Sequence, residues 1–84
     1  MDIGLFLVPF RLPDVGIEEG FEWDMQVIRW ADEYGLSEVW VGEHSTLRWE
    51  PCCSPELYIA HALAQTSRIK LATGANVPAN HNPV

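Results

Sequence analysis

Residues 39–45 read VWVGEHS, and this stretch decides the fold. Val39, Trp40 and Val41 are β-branched and aromatic residues in a row, which suit a pleated, packed surface. A short apolar run bounded by a turn residue reads as a buried strand. Gly42 then turns the chain, and an acid, an imidazole and a hydroxyl follow: Glu43, His44 and Ser45. A strand that ends in groups able to hold or move protons suggests the rim of a sheet where chemistry is done. With Glu38 included, the second strand is expected over 38–41.

The pattern extends outward from there in both directions. Upstream, GFEWDMQVIRWADEY at 20–34 has helical period, with Phe21, Met25, Ile28 and Ala31 in one apolar row. Trp23, Val27, Trp30 and Tyr34 form the next row, and both tryptophans are expected on the helix's packing surface. Gly35 suits the helix stop. Further upstream, IGLFLV at 3–8 reads as a strand buried on both faces and closed by Pro9, and 9–19 reads as a long loop. Downstream, 42–53 is a loop. Ser54 and Pro55 start a second helix as N-cap and first helical residue. Its body, ELYIAHALAQT, carries Leu57, Ala60 and Ala64 on one stripe, with Ile59 and Leu63 beside them. IKLAT at 69–73 is the third strand, and 74–84 is a turn-rich tail.

The resulting order is βαβαβ. Strands that alternate with helices imply an α/β fold with a parallel sheet and right-handed crossovers. Neither a GxGxxG fingerprint nor a Walker A loop follows the first strand, which turns the reading away from a nucleotide-binding doubly wound sheet. The other large parallel class is the (β/α)8 TIM barrel, which keeps its chemistry at the C-terminal ends of the strands. Such a barrel takes about 200–250 residues, and this chain has 84. Residues 1–84 are therefore expected to form one partial domain, the N-terminal βαβαβ portion of a barrel left incomplete. The chain is accordingly expected to be an N-terminal fragment of a larger protein.

Composition narrows the function. The formal net charge is −7, which argues against nucleic acid and against an anionic membrane surface. The start lacks the basic region of a signal peptide, and no apolar stretch approaches the roughly 20 residues of a membrane helix. Cys52 and Cys53 are adjacent, a poor geometry for a disulfide. A reduced, cytoplasmic chain is expected. No CxxC or HxxxH spacing connects Cys52, Cys53, His61 and His81, so no metal site is expected. His61, inside the second helix, reads as a packed or surface residue.

In a parallel sheet the strand ends share one rim. That rim collects Pro9 and Phe10, then Gly42 to Ser45, then Thr73 to Asn76. His44 is the candidate catalytic residue, because imidazole titrates near neutral pH. Glu43 has three open readings: orienting His44, binding a ligand group, or accepting backbone N–H bonds at the rim. Three consecutive residues point in different directions, so Glu43, His44 and Ser45 do not form a hydrolase triad. Trp49 either walls a pocket or covers the sheet end. TGAN at 73–76 is either a plain loop or a place where small residues let a planar ligand approach the backbone.

The sequence resembles the bacterial luciferase-like flavin monooxygenases over essentially its whole length. The resemblance rests on IGLF, on WADEYGLSEVWVGEH, on SPELYIAHALAQTSRIKLATGA and on HNPV. In look it is nearest to monooxygenases of small apolar compounds such as terpenes. It implies a (β/α)8 barrel and reduced FMN supplied by a separate reductase. Oxygen would then give a flavin C4a-hydroperoxide that oxygenates a small organic substrate. It implies proton management by His44; the second histidine common in the family is Ser45 here. It also implies a flavin-supporting bend at Gly74 and Ala75 with Asn76 adjacent, Glu43 among the cofactor contacts, and Phe6, Phe10 and Trp49 as apolar walls of the substrate pocket. Homo- or hetero-oligomers fit the same resemblance. Two alternatives stand beside it. One is an F420-dependent oxidoreductase of the same superfamily. The other is a catalytically inert fragment that associates through its open strand edges.

Overall fold

Leu7 stands beside Val41, and Val41 beside Thr73, in a parallel sheet of three strands ordered β1-β2-β3. The computed structural model describes residues 2–9, 14–43 and 54–74. Its elements are β1 (Gly4–Leu7), α1 (Ile17–Glu33), β2 (Glu38–Val41), α2 (Pro55–Leu63) and β3 (Lys70–Thr73). The βαβαβ order and the parallel pairing follow the sequence pattern, and β2 has the expected bounds.

Strand alternation sorts the side chains. Leu5, Leu7, Val39, Val41 and Leu71 lie in or against the core with Met25, Ile28 and Ala31 of α1 and Ala62 of α2. Among the described residues no helix lies on the opposite face, and there Phe6 is 58% exposed and Trp40 41% exposed. The expectation that β1 is buried on both faces is thus corrected: the described residues cover one side of the sheet only. β1 is also shorter than 3–8, and β3 begins at Lys70 rather than Ile69.

α1 starts three residues earlier than the pattern suggested. Gly16 is its extended N-cap, the Gly20 amide donates to the Gly16 carbonyl at 3.0 Å, and Glu18 and Glu19 occupy the first turn. There the helix dipole favours acids. At the other end Gly35 has φ +84°, a conformation that favours glycine. The Leu36 amide donates to Ala31 and the Gly35 amide to Asp32, which closes a Schellman turn. The row Met25, Ile28 and Ala31 is buried as expected. The second row is not: Trp23 is 60%, Trp30 39% and Tyr34 74% exposed. One apolar flank is enough to cover β1 and β2, so the other is left facing outward.

α2 likewise turns a different side inward. Pro55 and Ala62 are buried and Tyr58 and Ile59 half-buried, while Leu57, Ala60, Leu63 and Ala64 are exposed. Ser54 is the N-cap as expected, and its carbonyl accepts the first helical bonds from the Leu57 and Tyr58 amides. The helix stops at Leu63, and just beyond it the Thr66 hydroxyl donates back to the Ala62 carbonyl at 3.0 Å.

Candidate active site

The bare face of the sheet is ordered in rows by the strand register. Gly4, Glu38 and Lys70 align at the N-terminal end, and Phe6, Trp40 and Ala72 in the middle. Two residues on, at the C-terminal rim, β2 and β3 are each followed by a glycine, Gly42 and Gly74. The Gly42 amide donates to the Leu7 carbonyl at 3.2 Å and the Gly74 amide to the Val41 carbonyl at 2.8 Å. The ladder therefore runs right up to the rim and consumes both amides, which leaves neither as a free donor for a ligand.

What the two glycines provide is space. A β-carbon on Gly74 would stand 3.2 Å from the Phe6 ring and 3.4 Å from Trp40. One on Gly42 would stand 3.6 Å from the Phe6 ring and 3.7 Å from the Gly74 carbonyl oxygen. The Phe6 ring thus reaches across toward both strand ends and lies against them. The outcome is an apolar surface of phenyl ring, indole and bare backbone, on the side of the sheet away from α1 and α2. A planar, largely apolar group fits such a surface.

Glu43 follows Gly42 and is 7% exposed. A carboxylate held this far from water carries a specific interaction, since an unpartnered buried charge is very costly. Of the residues singled out from the sequence, Gly42, Glu43 and Gly74 lie together at the C-terminal rim. His44, Phe10, Trp49, Ala75 and Asn76 lie outside the described residues.

Away from the rim, α1 and α2 border a groove of about 380 Å³ lined by Phe21, Ser54, Leu57, Tyr58 and His61. Phe21 meets the rings of Tyr58 and His61 edge-on, each at 5.0 Å. The Gln65 amide nitrogen lies 2.6 Å from His61 Nε2, and its oxygen accepts from Arg29. His61 is thus a surface histidine in a local network. Among the described residues, no three His, Cys, Asp or Glu side chains cluster as metal ligands. No helix among them is long and apolar enough to cross a membrane.

Sequence reasoning missed Asp32. Its carboxylate accepts the backbone N–H groups of Ser67, Arg68 and Ile69, each at 2.9 Å. These bonds, with a smaller contribution from the Arg68 charge, hold it below its ordinary pKa of 3.8. The signal was present: an acid in the last turn of α1 opposes the helix dipole, and such a residue needs a dedicated partner. Here it clamps the α2–β3 loop to α1 and so fixes where β3 begins.

The family model for luciferase-like monooxygenases matches residues 1–84. The chain belongs to that family. Among curated members it is 36% identical over 83 residues to 2,5-diketocamphane 1,2-monooxygenase 2 of Pseudomonas putida, covering 99% of this chain and 23% of that protein. It is 40% identical over 85 residues to 4-hydroxyprotoasukamycin monooxygenase of Streptomyces nodosus subsp. asukaensis, covering 99% and 22%. Among solved structures it matches the oxygenating constituent of 3,6-diketocamphane monooxygenase of P. putida, a type II Baeyer–Villiger monooxygenase in complex with FMN. That match has a TM-score of 0.83 and 35% identity over 89% of this chain and 21% of the other. This luciferase-like chain spans less than a quarter of the length of these relatives. Its three strands and two helices are part of the TIM barrel of the family, and these residues do not close it.

Proposed function

We propose that the polypeptide carrying these residues is a flavin-dependent monooxygenase that takes reduced FMN from a separate reductase and oxygenates a small, largely apolar organic substrate. The observation that carries this reading is the pair of side-chain-free strand ends, Gly42 and Gly74, with the Phe6 ring against both of them. It is the kind of floor a flavin ring needs, and it lies at the end of the sheet where TIM barrels hold their ligands. The FMN in the related diketocamphane enzyme supports the choice of flavin. The names of two relatives, acting on diketocamphane and limonene, support a terpene-like substrate.

Reduced FMN, when bound, would supply the electrons that activate dioxygen, one atom going to substrate and the other leaving as water. The chain's own residues prepare the place. Phe6 and Trp40 give an apolar floor, and Phe10 and Trp49 would supply apolar side chains that keep water out. Gly74, with Ala75 and Asn76 following it in sequence, would let the ring approach the backbone. His44 holds and returns a proton near neutral pH, and buried Glu43, its neighbour in sequence, sets the charge around it and contacts the cofactor. Residues 1–84 alone are expected to show little or no turnover, because three strands enclose no pocket.

The test supplies the complete protein with FMN, a flavin reductase, NADH and a terpenoid ketone or alkene. Substrate-dependent oxygen uptake is expected, with one atom of labelled dioxygen in the product. A reaction that proceeds on reduced F420 without oxygen would replace this reading with that of an oxidoreductase.

A further inference from the structure

We propose that Asp32, at the N-terminal end of the sheet, is a positioning residue for the opposite rim: it sets the register of β3 and, through it, the place of Gly74. The step from Gly74 to the flavin rests on the proposed function. The step from Asp32 to Gly74 does not.

β3 carries little register information of its own. Register is strongly specified where a strand buries large apolar side chains on one face, and weakly in polar or Gly-rich strands. β2 buries Val39 and Val41 completely. Toward the helices β3 offers Ile69 and Leu71, of which only Ile69 is fully buried. On its other face stand Lys70 and Ala72, and then Gly74 with no side chain at all. Among the described residues β3 also pairs on one side only, with β2. A strand so weakly keyed needs an anchor outside itself.

Asp32 is that anchor. Its Oδ2 accepts the Ser67 amide and its Oδ1 the amides of Arg68 and Ile69, each at 2.9 Å. The very next amide, that of Lys70, donates to the Ser37 carbonyl at 3.1 Å. The ladder with β2 thus begins where the carboxylate lets go, and no slack lies between them. Asp32 also holds the entry to β2, because its carbonyl accepts the Gly35 amide at 3.2 Å. Two residues later the Ser37 amide donates to the Ile3 carbonyl at 2.9 Å. One residue therefore ties the start of β2 by its main chain and the start of β3 by its side chain.

Each strand is four residues long, so the rim lies a single strand length away. There the Gly74 amide donates to the Val41 carbonyl at 2.8 Å, and the Phe6 ring fills the space a β-carbon on Gly74 would take. A slip of one residue would turn β3 over. A slip of two keeps the faces but brings Ala72 or Asn76 to this place, and either carries the β-carbon that the ring crowds. Only the anchored register sets a bare backbone against Phe6.

The test uses the complete protein. Hydrogen exchange is resolved to single amides by electron-transfer fragmentation, and binding of oxidised FMN is followed by its fluorescence. In Asp32→Ala the Lys70 and Gly74 amides are expected to exchange about 10-fold faster or more, since bonds to a charged acceptor are among the stronger ones. The Gly42 amide, bonded to β1, should exchange as in wild type. FMN binding should weaken about 10-fold, given how sharply sites respond to displacements of about 1 Å. Asp32→Asn, which keeps one acceptor oxygen, should fall between. The control is Ile28→Val or Ile28→Ala, whichever matches the melting temperature of Asp32→Ala; it should leave Gly74 exchange and FMN binding at wild-type values. Unchanged exchange at Gly74, equal acceleration at Gly42, or equal loss of FMN in the matched control would reduce Asp32 to a general stabiliser and overturn the assignment. A wild-type protein that bound no FMN would defeat the proposed function instead, and exchange at Gly74 would still decide the anchor.

Discussion

Gly42 and Gly74 end neighbouring strands of one sheet, yet they do not tolerate a side chain equally. The difference is the Phe6 ring, 3.2 Å from a β-carbon built on Gly74 and 3.6 Å from one on Gly42. Neither glycine has a positive φ, so alanine meets no backbone strain at either place. Alanine also lowers the entropy of the unfolded chain. Gly42→Ala is therefore expected to be neutral or slightly stabilising in urea unfolding. Gly74→Ala is expected to cost about 1 kcal/mol, the lower end of overpacking. Phe6→Ala should remove most of that cost, with a coupling of about 0.5–1 kcal/mol in a double-mutant cycle. Equal effects at the two glycines would show that the ring does not govern the rim. His44 makes a separate expectation at the same scale. In the complete enzyme, His44→Ala should lower substrate oxygenation about 100- to 10,000-fold, the range of a lost general acid or base. Flavin binding should stay near wild type, and more hydrogen peroxide should form per NADH consumed. Unchanged product yield would remove His44 from the chemistry.

Between elements, the decisive contact is a single carboxylate. Asp32 accepts three backbone amides from the loop between α2 and β3, and its pKa is lowered by them. A carboxyl whose folded pKa is depressed contributes stability that is complete above its unfolded value and is lost as pH falls through the folded one. The clamp should therefore be whole at pH 5–7 and fade below the ordinary value of 3.8. Asp32→Asn should lower the melting temperature at pH 7, and the gap to wild type should narrow toward pH 3. A constant gap across that range would mean the charge is not what the amides recognise. Little of this was legible in the sequence, because the partner amides lie 35 to 37 residues away. What periodicity could read, it read well. It placed Met25, Ile28 and Ala31 inward, Gly35 at the stop and the three strands in parallel order. Among the described residues the stripe of Leu57 and Ala60 and the row of Trp23 and Trp30 lie exposed. A helical stripe reports that a face is apolar, but not which neighbour covers it. The rim was legible in part: the glycines and Glu43 could be found from strand ends alone, whereas the reach of Phe6 to Gly74 depends on the register between strands.

For the molecule as a whole, the governing fact is that the described residues cover the apolar sheet on one side only. The other sheet face carries Phe6 and Trp40, and among the described residues β1 and β3 each have an edge with no strand beside it. Open edges and apolar faces promote association. Opposing them is a formal net charge of −7 on 84 residues, which makes copies repel. Repulsion between surface charges is screened by salt over a Debye length of about 10 Å at 0.1 M and about 3 Å at 1 M. Apolar contact and strand pairing are not screened. The isolated chain should therefore be nearly monomeric in low salt and associate as salt rises, a trend that sedimentation velocity can follow directly. Two substitutions can locate that association. Phe6→Asp puts a charge on the bare sheet face and should suppress salt-induced association. Trp30→Glu alters only the far flank of α1 and should leave it intact. If association instead weakened with salt, ion pairs rather than the uncovered face would be holding the copies together. If Trp30→Glu abolished it, the helix flank and not the sheet would be where copies of this chain first meet.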